Sequence, residues 1–442
     1  MSVHVLIYTH HWTVGGIEKV IHNITQGLES RGYTFSILTN DVPSPERQFR
    51  LGKNARVYFR DFKPFDVTNA ERMKSLILRI NPDIAVVMGS NRSNLWVPRA
   101  LAGTPVPVIM SEHNTQILVA KNFINPEIYR AARAIVDFNH VLLPNYMSTF
   151  SPPSKTRVIG NPFNSNINVE QKIDLSTREN TVLCLARYDY IQKQPQVLVK
   201  AFAEIVSRHP DWKLSLFGGN WKRGQNNIQA LVKRLNLEGQ VEVNDHTDDV
   251  IGEMQKAKIL AFPSAYEGFP LVAVDALASG LPVVAFSECE GVNHLVRNGE
   301  NGVLVHGDVK DYKAFANGLE QLMLDEDFRL QLAENAPASV ADYSHDIFLD
   351  NWDSLFKEAY AKKGRNILAN PNAIERHYLE LLFDYRMEDI STKELSLARE
   401  AERAKKYANA REWVPLFVRK FLNVFSPGHG LKRIAKKLLG VR

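Results

Sequence analysis

The chain has 442 residues, with 54 Lys or Arg against 49 Asp or Glu and a formal charge of +5; this length exceeds what one core usually spans and points to two domains plus an appendage. No run approaches the ~20 apolar residues that cross a bilayer, and the start, MSVHVLIYTH, lacks the basic region and long apolar run of a signal peptide, so any membrane contact is expected to be peripheral. The two cysteines, Cys184 and Cys289, lie in separate apolar stretches without metal or redox spacing, which argues for a packing role and a reducing compartment.

Val3–Tyr8 reads as a first strand, followed by Thr13-Val14-Gly15-Gly16, a helical pattern through Ile17, Val20, Ile21, Ile24 and Leu28, then Gly32 and the strand Tyr33–Thr39. This β-loop-α-β unit announces a parallel sheet. Paired glycines after a first strand either let a ligand approach a helix N-terminus or form a plain turn. The spacing is not G-x-G-x-x-G, so a nicotinamide site is not supported. Further strands are expected at Ile84–Met88, Val108–Ser111 and His140–Pro144, with Gly89-Ser90-Asn91-Arg92 and Glu112-His113-Asn114 as loops at strand ends. Arg92 there reads as a solvated arginine, and His113 as either a loop-bridging histidine or a group facing a ligand at the carboxyl end of its strand.

Val158-Ile159-Gly160-Asn161-Pro162-Phe163 and the polar run to Asn180 read as an inter-domain linker. A second α/β series begins with the strand Thr181–Ala186 and the loop Arg187–Gln194, in which Arg187 and Lys193 are two cations able to neutralise a diphosphate, or two ordinary surface bases. Helix Val197–His209, strand Leu214–Phe217 with the turn Gly218-Gly219, and strands Val241–Val243 and Ile259–Pro263 follow.

Residues Ser264–Phe286, SAYEGFPLVAVDALASGLPVVAF, form a loop, a buried helix over Leu271–Ser279 and the strand Val283–Phe286. Two acids punctuate it: Glu267 before the helix and Asp275 within it, about 12 Å apart if the chain between them is helical. Free amides and the positive helix end beside Glu267 suit a diphosphate. Beyond it, Asp311–Leu324 is a peripheral helix, Asp325-Glu326-Asp327 is charge at a helix junction rather than a metal motif, and Ile347–Tyr360 is a closing helix.

In the tail, Ala373–Tyr385 is amphipathic, and Leu397, Ala401, Ala404 and Ala408 have heptad-like spacing, so self-association through 372–412 is one reading. From Arg411 to Arg442 eight Lys or Arg face the single acid Glu412, so the basic charge of the chain is concentrated there. In LKRIAKKLLGVR, Leu431, Ile434, Leu438 and Leu439 line one face and Lys432, Arg433, Lys436 and Lys437 its rim, the pattern of a helix lying on an anionic membrane surface. No recognisable nucleic-acid module accompanies it, so a nucleic-acid partner is not expected.

Several of these stretches carry a resemblance, SEHNT around His113 and GVNHLVRNGENGVLV from Gly291 among them. EGFPLVAVD, from Glu267 to Asp275, resembles the E-x7-E signature of retaining GT-B-fold glycosyltransferases of the large family 4; A-R-Y-D-Y-I-Q-K-Q-P from Ala186 resembles that family's second phosphate loop; Gly15-Gly16 before Glu18 resembles its N-terminal loop. The sequence departs from the pattern at Asp275, one methylene shorter than Glu, at Gln194, where Gly is usual, and at Asn293-His294, which replace Pro-Glu. The resemblance covers about residues 1–362. It implies an α/β protein of two Rossmann-like domains facing each other across a cleft, with a helical tail: residues 1–160 on the acceptor side, a linker over 161–180, a nucleotide-sugar domain over 181–345, a helix crossing back over 346–362, and the tail over 363–442.

The implied donor is a nucleotide-diphosphate sugar, UDP before GDP, and the acceptor a glycan or lipid-linked glycan in cell-surface polysaccharide or glycolipid synthesis, with no cofactor and no metal. Arg187 and Lys193 would steady the departing diphosphate, Gly15 and Gly16 allow close approach, Glu267 and His113 hold sugar hydroxyls, Asp275 holds the ribose, and the amides around Gly268, Phe269 and Leu271 complete the cradle. Two other readings use the same residues, a nucleotide-sugar 2-epimerase of the same fold and a non-catalytic nucleotide-sugar-binding protein. The implied location is cytoplasmic, on the inner face of the membrane, held through 414–442.

Overall fold

The structure is a computed structural model that describes residues 2–12, 15–40, 51–60, 67–89, 92–115, 119, 126–144, 152–170, 174–365, 367–368 and 370–384, without the side chains of 67–69, 92, 93 and 126. Residues Met1–Glu375 form one compact unit and Arg376–Arg442 a second. The basic segment 414–442 and most of 372–412 lie outside the described residues, as do Thr13 and Val14.

Two parallel sheets build the first unit. One contains β1 (Val3–Thr9), β2 (Tyr33–Thr39), β3 (Ala55–Phe59), β4 (Ile84–Met88), β5 (Val108–Ser111), β6 (Phe138–Val141) and β7 (Thr156–Val158), in the order β3-β2-β1-β4-β5-β6-β7. The other contains β8 (Glu179–Leu185), β9 (Lys213–Phe217), β10 (Val241–Asn244), β11 (Ala257–Phe262), β12 (Val283–Phe286) and β13 (Gly302–Val305), in the order β10-β9-β8-β11-β12-β13. Strands such as IAVVM and VVAF are buried along their whole length because helices cover both sheet faces. Each sheet is doubly wound. Strand order reverses between β1 and β4 and between β8 and β11, and the crevice outside those carboxyl ends is where such sheets take ligands.

The sixth strand begins two residues before its expected start at His140 and ends at Val141. Three strands were not anticipated, among them β13 (GVLV), which pairs with β12 at the edge of the second sheet. β3 is an edge strand whose side chains are half-exposed or exposed, so ARVYF carries little apolar signal, and β7 is only three residues long within the stretch read as linker. Asp325 accepts from Phe328 N–H at 2.9 Å, which makes the acidic triplet the cap of the helix Glu326–Ser339.

The helix His345–Tyr360 returns to the first sheet. Phe348, Leu349, Trp352, Leu355, Phe356 and Ala359 recur on one stripe and are buried in the core that holds Val5, Ile7, Val20 and Phe35. Polar ties flank the stripe: Tyr33 Oη donates to Asp353 Oδ1 at 2.7 Å, Arg31 meets Asp350 at 2.6 Å, and Arg157 meets Glu358. The chain thus leaves the first domain through the linker and closes on it again. Trp352→Ala should cost about 3–5 kcal/mol, measured by denaturant unfolding, because Trp352 is fully buried between His140 and Phe356.

Candidate functional site

Loops at the carboxyl ends of the two sheets meet. Gly268, in the loop after β11, lies so close to the backbone of the loop after β5 that a Cβ there would sit 2.2 Å from the His113 carbonyl oxygen. Gly160 makes a similar approach from the linker, where a Cβ would meet the rings of Tyr343 and Phe269; those two rings pack edge to face at 5.1 Å. Small residues let the sheets close on each other here.

Lys193 and Glu267 come together at the centre of this region. Lys193 Nζ lies 2.5 Å from Glu267 Oε1, with the side chains only 18% and 9% exposed. Their loops are tied to each other: Ala265 N–H donates to the Gln192 carbonyl at 2.8 Å, Gln192 Nε2 donates to the Tyr266 carbonyl at 3.2 Å, and Glu267 N–H donates to the Glu290 carbonyl at 2.9 Å. Asp189 folds the first loop by accepting from the amides of Ile191 and Gln192 at 2.9 and 3.1 Å. Gln194, where the resembled loop has Gly, adopts φ +50°, ψ +46°. That left-handed conformation explains a preference for glycine at this position and carries backbone strain in this chain.

Arg187 follows another direction from the same loop. It is exposed, with its guanidinium 5.0 Å over the ring of Trp221 and Nη2 donating to Gln192 Oε1 at 3.4 Å. Trp221 was not singled out from the sequence. Its loop after β9 offered only a Gly-Gly turn.

The signature helix runs over Leu271–Ala278, with Pro270 as a cap that supplies no side-chain acceptor, so the first-turn amides of Leu271 and Val272 sit at the positive end of the helix. Residues 267–270 are loop, so the span from Glu267 to Asp275 is only partly helical. Asp275 is 3% exposed. Its Oδ1 accepts from Asn164 N–H at 2.7 Å, and its Oδ2 lies 3.5 Å from Lys19 Nζ, which comes from the helix Gly16–Gly27 of the first domain. Burial pushes the carboxyl pKa up, and Lys19 and the Asn164 amide oppose that shift. Asp275 therefore links the signature helix to both the linker and the first domain, a role that spacing in sequence does not show.

Gly15 caps the helix Gly16–Gly27 with extended backbone, and a Cβ at Gly15 would lie 2.7 Å from a carboxylate oxygen of buried Glu18. His113 sits on a loop shaped by Glu112, whose carboxylate accepts from the amides of His113 and Asn114 at 2.9 and 2.7 Å and from the Tyr129 hydroxyl. The His113 ring reaches back to Ser111 Oγ at 2.7 Å. Burial lowers the pKa of His113 well below the ordinary value, with His140 and Arg133 adding to the effect. Among the described residues, no group of three or more His, Cys, Asp or Glu side chains is arranged to hold a metal ion. No described helix is long and apolar enough to cross a membrane.

Two family models match the chain: Glycosyltransferase Family 4 over residues 14–166 and Glycosyl transferases group 1 over residues 166–339. An uncharacterized glycosyltransferase of Haemophilus influenzae is 24% identical over 348 residues, 78% of this chain and 96% of that protein. A Campylobacter jejuni N-acetylgalactosaminyltransferase, whose name gives an undecaprenol-linked acceptor, is 26% identical over 276 residues, 60% of this chain and 72% of its own length. An Anabaena protein solved with UDP and glucose shares the fold at a TM-score of 0.66 and 18% identity, covering 80% of this chain and 99% of that one.

Burial holds the His140 pKa down to about 4, with the Ile159 carbonyl opposing and Arg133 assisting. In the unfolded chain it would titrate near pH 6.5, so the stability owed to neutral His140 is complete above about pH 6.5 and is lost as the pH falls toward about 4. His140→Gln should remove this part of the pH dependence, at most about 3 kcal/mol, measured by denaturant unfolding of both proteins across pH 4–8.

Proposed function

The chain belongs to the GT-B glycosyltransferases of family 4, and on that premise we propose that it moves a sugar, with retention, from a nucleotide-diphosphate sugar to a glycan or lipid-linked acceptor. The observation that carries this reading is the contact of Lys193 with Glu267, largely dry and placed at the carboxyl ends of β8 and β11. Such a pair offers a cation for a leaving diphosphate and a carboxylate that accepts from sugar hydroxyls. A UDP-sugar is the favoured donor, with a GDP-sugar as the alternative. The reported neighbour with UDP and glucose supports that order.

As the bond from the anomeric carbon to the diphosphate lengthens, negative charge gathers on the phosphate oxygen, where Lys193 and the forked donors of Arg187 neutralise it. The acceptor hydroxyl attacks from the face that the diphosphate leaves and passes its proton to that phosphate oxygen, so the product keeps the donor's anomeric configuration. The positive charge in this scheme comes from side chains, with no metal or cofactor. Gly15 and Gly16 let the donor approach the first domain, while Gly268, Phe269 and Leu271 line the diphosphate cradle at the signature helix. His113 meets the sugar. For Asp275 to hold the ribose, Oδ2 must exchange Lys19 for a ribose hydroxyl.

The basic stretch 414–442 attaches the protein peripherally to an anionic membrane surface on the cytoplasmic side, where lipid-linked acceptors of polysaccharide or glycolipid synthesis are presented. The Campylobacter relative's acceptor supports that class. Sedimentation with anionic liposomes should be lost on deleting 414–442; unchanged sedimentation contradicts the attachment.

Transfer from radiolabelled nucleotide sugars to a membrane extract tests the reaction. Glu267→Ala should lower transfer about a hundredfold or more while the protein still unfolds in one cooperative transition; near-normal turnover contradicts its assignment. An epimer formed from donor alone would favour the epimerase reading instead, and nucleotide-sugar binding without product would favour the non-catalytic one. Gly268→Ala should reduce kcat/KM about tenfold, since its methyl group must displace the His113 backbone.

A further inference from the structure

Behind the loop that carries His113, a line of hydrogen bonds runs into the first domain. His113 Nε2 lies 2.7 Å from Ser111 Oγ, Ser111 Oγ lies 2.7 Å from His140 Nδ1, and His140 Nε2 lies 2.8 Å from the carbonyl oxygen of Ile159. The inner end gives the line a direction. A carbonyl oxygen only accepts, so His140 Nε2 must carry a proton. With the His140 pKa held down to about 4, chiefly by burial, the ring has no second proton at neutral pH and its Nδ1 accepts from Ser111. Serine has one hydroxyl proton, so the Ser111 oxygen is left to accept from His113 Nε2–H. His113, neutral by the same logic of burial, keeps its remaining lone pair on Nδ1.

The surroundings hold this line from several sides. Arg133 donates to the His140 carbonyl at 3.1 Å, and the Glu112 carboxylate fixes the turn under His113. Trp352 of the returning helix lies 4.8 Å from the His140 ring. Arg157 on β7 is the register partner of His140 and turns to Glu358. Ser111 and His140 are each 1% exposed, so water does not compete freely for these bonds.

We propose that Ser111 and His140 are positioning residues that fix His113 in the Nε2–H tautomer, so that Nδ1 accepts a hydrogen bond from a hydroxyl of the bound sugar. The sugar half of this inference rests on the donor-site reading of His113 given above. In this tautomer the ring selects for a hydroxyl donor: a sugar lacking that hydroxyl would leave Nδ1 without its partner, which the site penalises.

The test uses the full chain labelled with nitrogen-15 histidine, with the His113 resonances assigned by their loss in His113→Asn. At pH 7.5 the wild type should show His113 Nδ1 at the unprotonated frequency and Nε2 at the protonated one. Ser111→Ala should mix the two tautomers and lower kcat about tenfold. His140→Leu should do the same. His140→Gln should keep both the tautomer and the rate, because its amide can donate to Ile159 while its carbonyl accepts from Ser111. Melting curves identify any variant that fails to fold, and His140→Gln supplies a second readout in that case. A proton on Nδ1 in the wild type, or a His113 tautomer indifferent to both Ser111→Ala and His140→Leu, overturns the proposal. If the tautomer responds as expected but His113→Asn transfers sugar at the wild-type rate, the positioning of His113 holds and its assignment to the sugar is overturned.

Discussion

The contact between Lys193 and Glu267 is the constraint on which the site depends. An ammonium and a carboxylate at 2.5 Å, both mostly withdrawn from solvent, are stable there only if each satisfies the other and the backbone around them is fixed. The second domain meets that demand by lacing the loop after β8 to the loop after β11 through Gln192, Ala265 and Tyr266. The left-handed backbone at Gln194 is part of the same arrangement, since it turns the chain from the Lys193 loop directly into the helix Pro195–Ile205. The strain at one residue is offset by the position it gives its neighbour.

The first domain completes the arrangement from the other side. Gly268 touches the backbone at His113, and Lys19 reaches Asp275, so two contacts from the first domain converge on the signature segment. The returning helix holds that relation. Its buried stripe packs in the first core, and Trp352 backs the His140 ring that lies behind Ser111 and His113. A change deep in the first domain can therefore reach the cleft through a short series of packed and hydrogen-bonded groups. Relative motion of the domains would have to break or remake the Lys19–Asp275 contact.

Alternating apolar strands and helices made the two doubly wound sheets legible, because buried parallel strands read as continuous apolar runs. Glu267 and Lys193 were legible through the resemblance of their loops to the family's signature and second phosphate loop; each follows a central strand of the second sheet. The edge strand β3 was not, because its half-exposed residues lack that run. Lys19 and Asn164 looked like ordinary polar residues, and only the folded chain brings them to Asp275; Asn164 lies 111 positions away from it in sequence. Ser111 and His140 were read simply as strand residues, since hydrogen-bond partners on adjacent parallel strands leave no local pattern. Arg187 was recognised by its loop, but its resting place over Trp221 depends on a side chain from a different turn.

The division of labour between the two central side chains is most directly tested by calorimetric titration of UDP, and of GDP if it binds more tightly, into wild type, Lys193→Met and Glu267→Gln. Lys193→Met should weaken nucleotide binding about tenfold or more, whereas Glu267→Gln, which removes only the carboxylate charge assigned to the sugar, should bind the nucleotide at least as tightly as the wild type. Nucleotide binding to Lys193→Met that equals the wild type would contradict that division of labour.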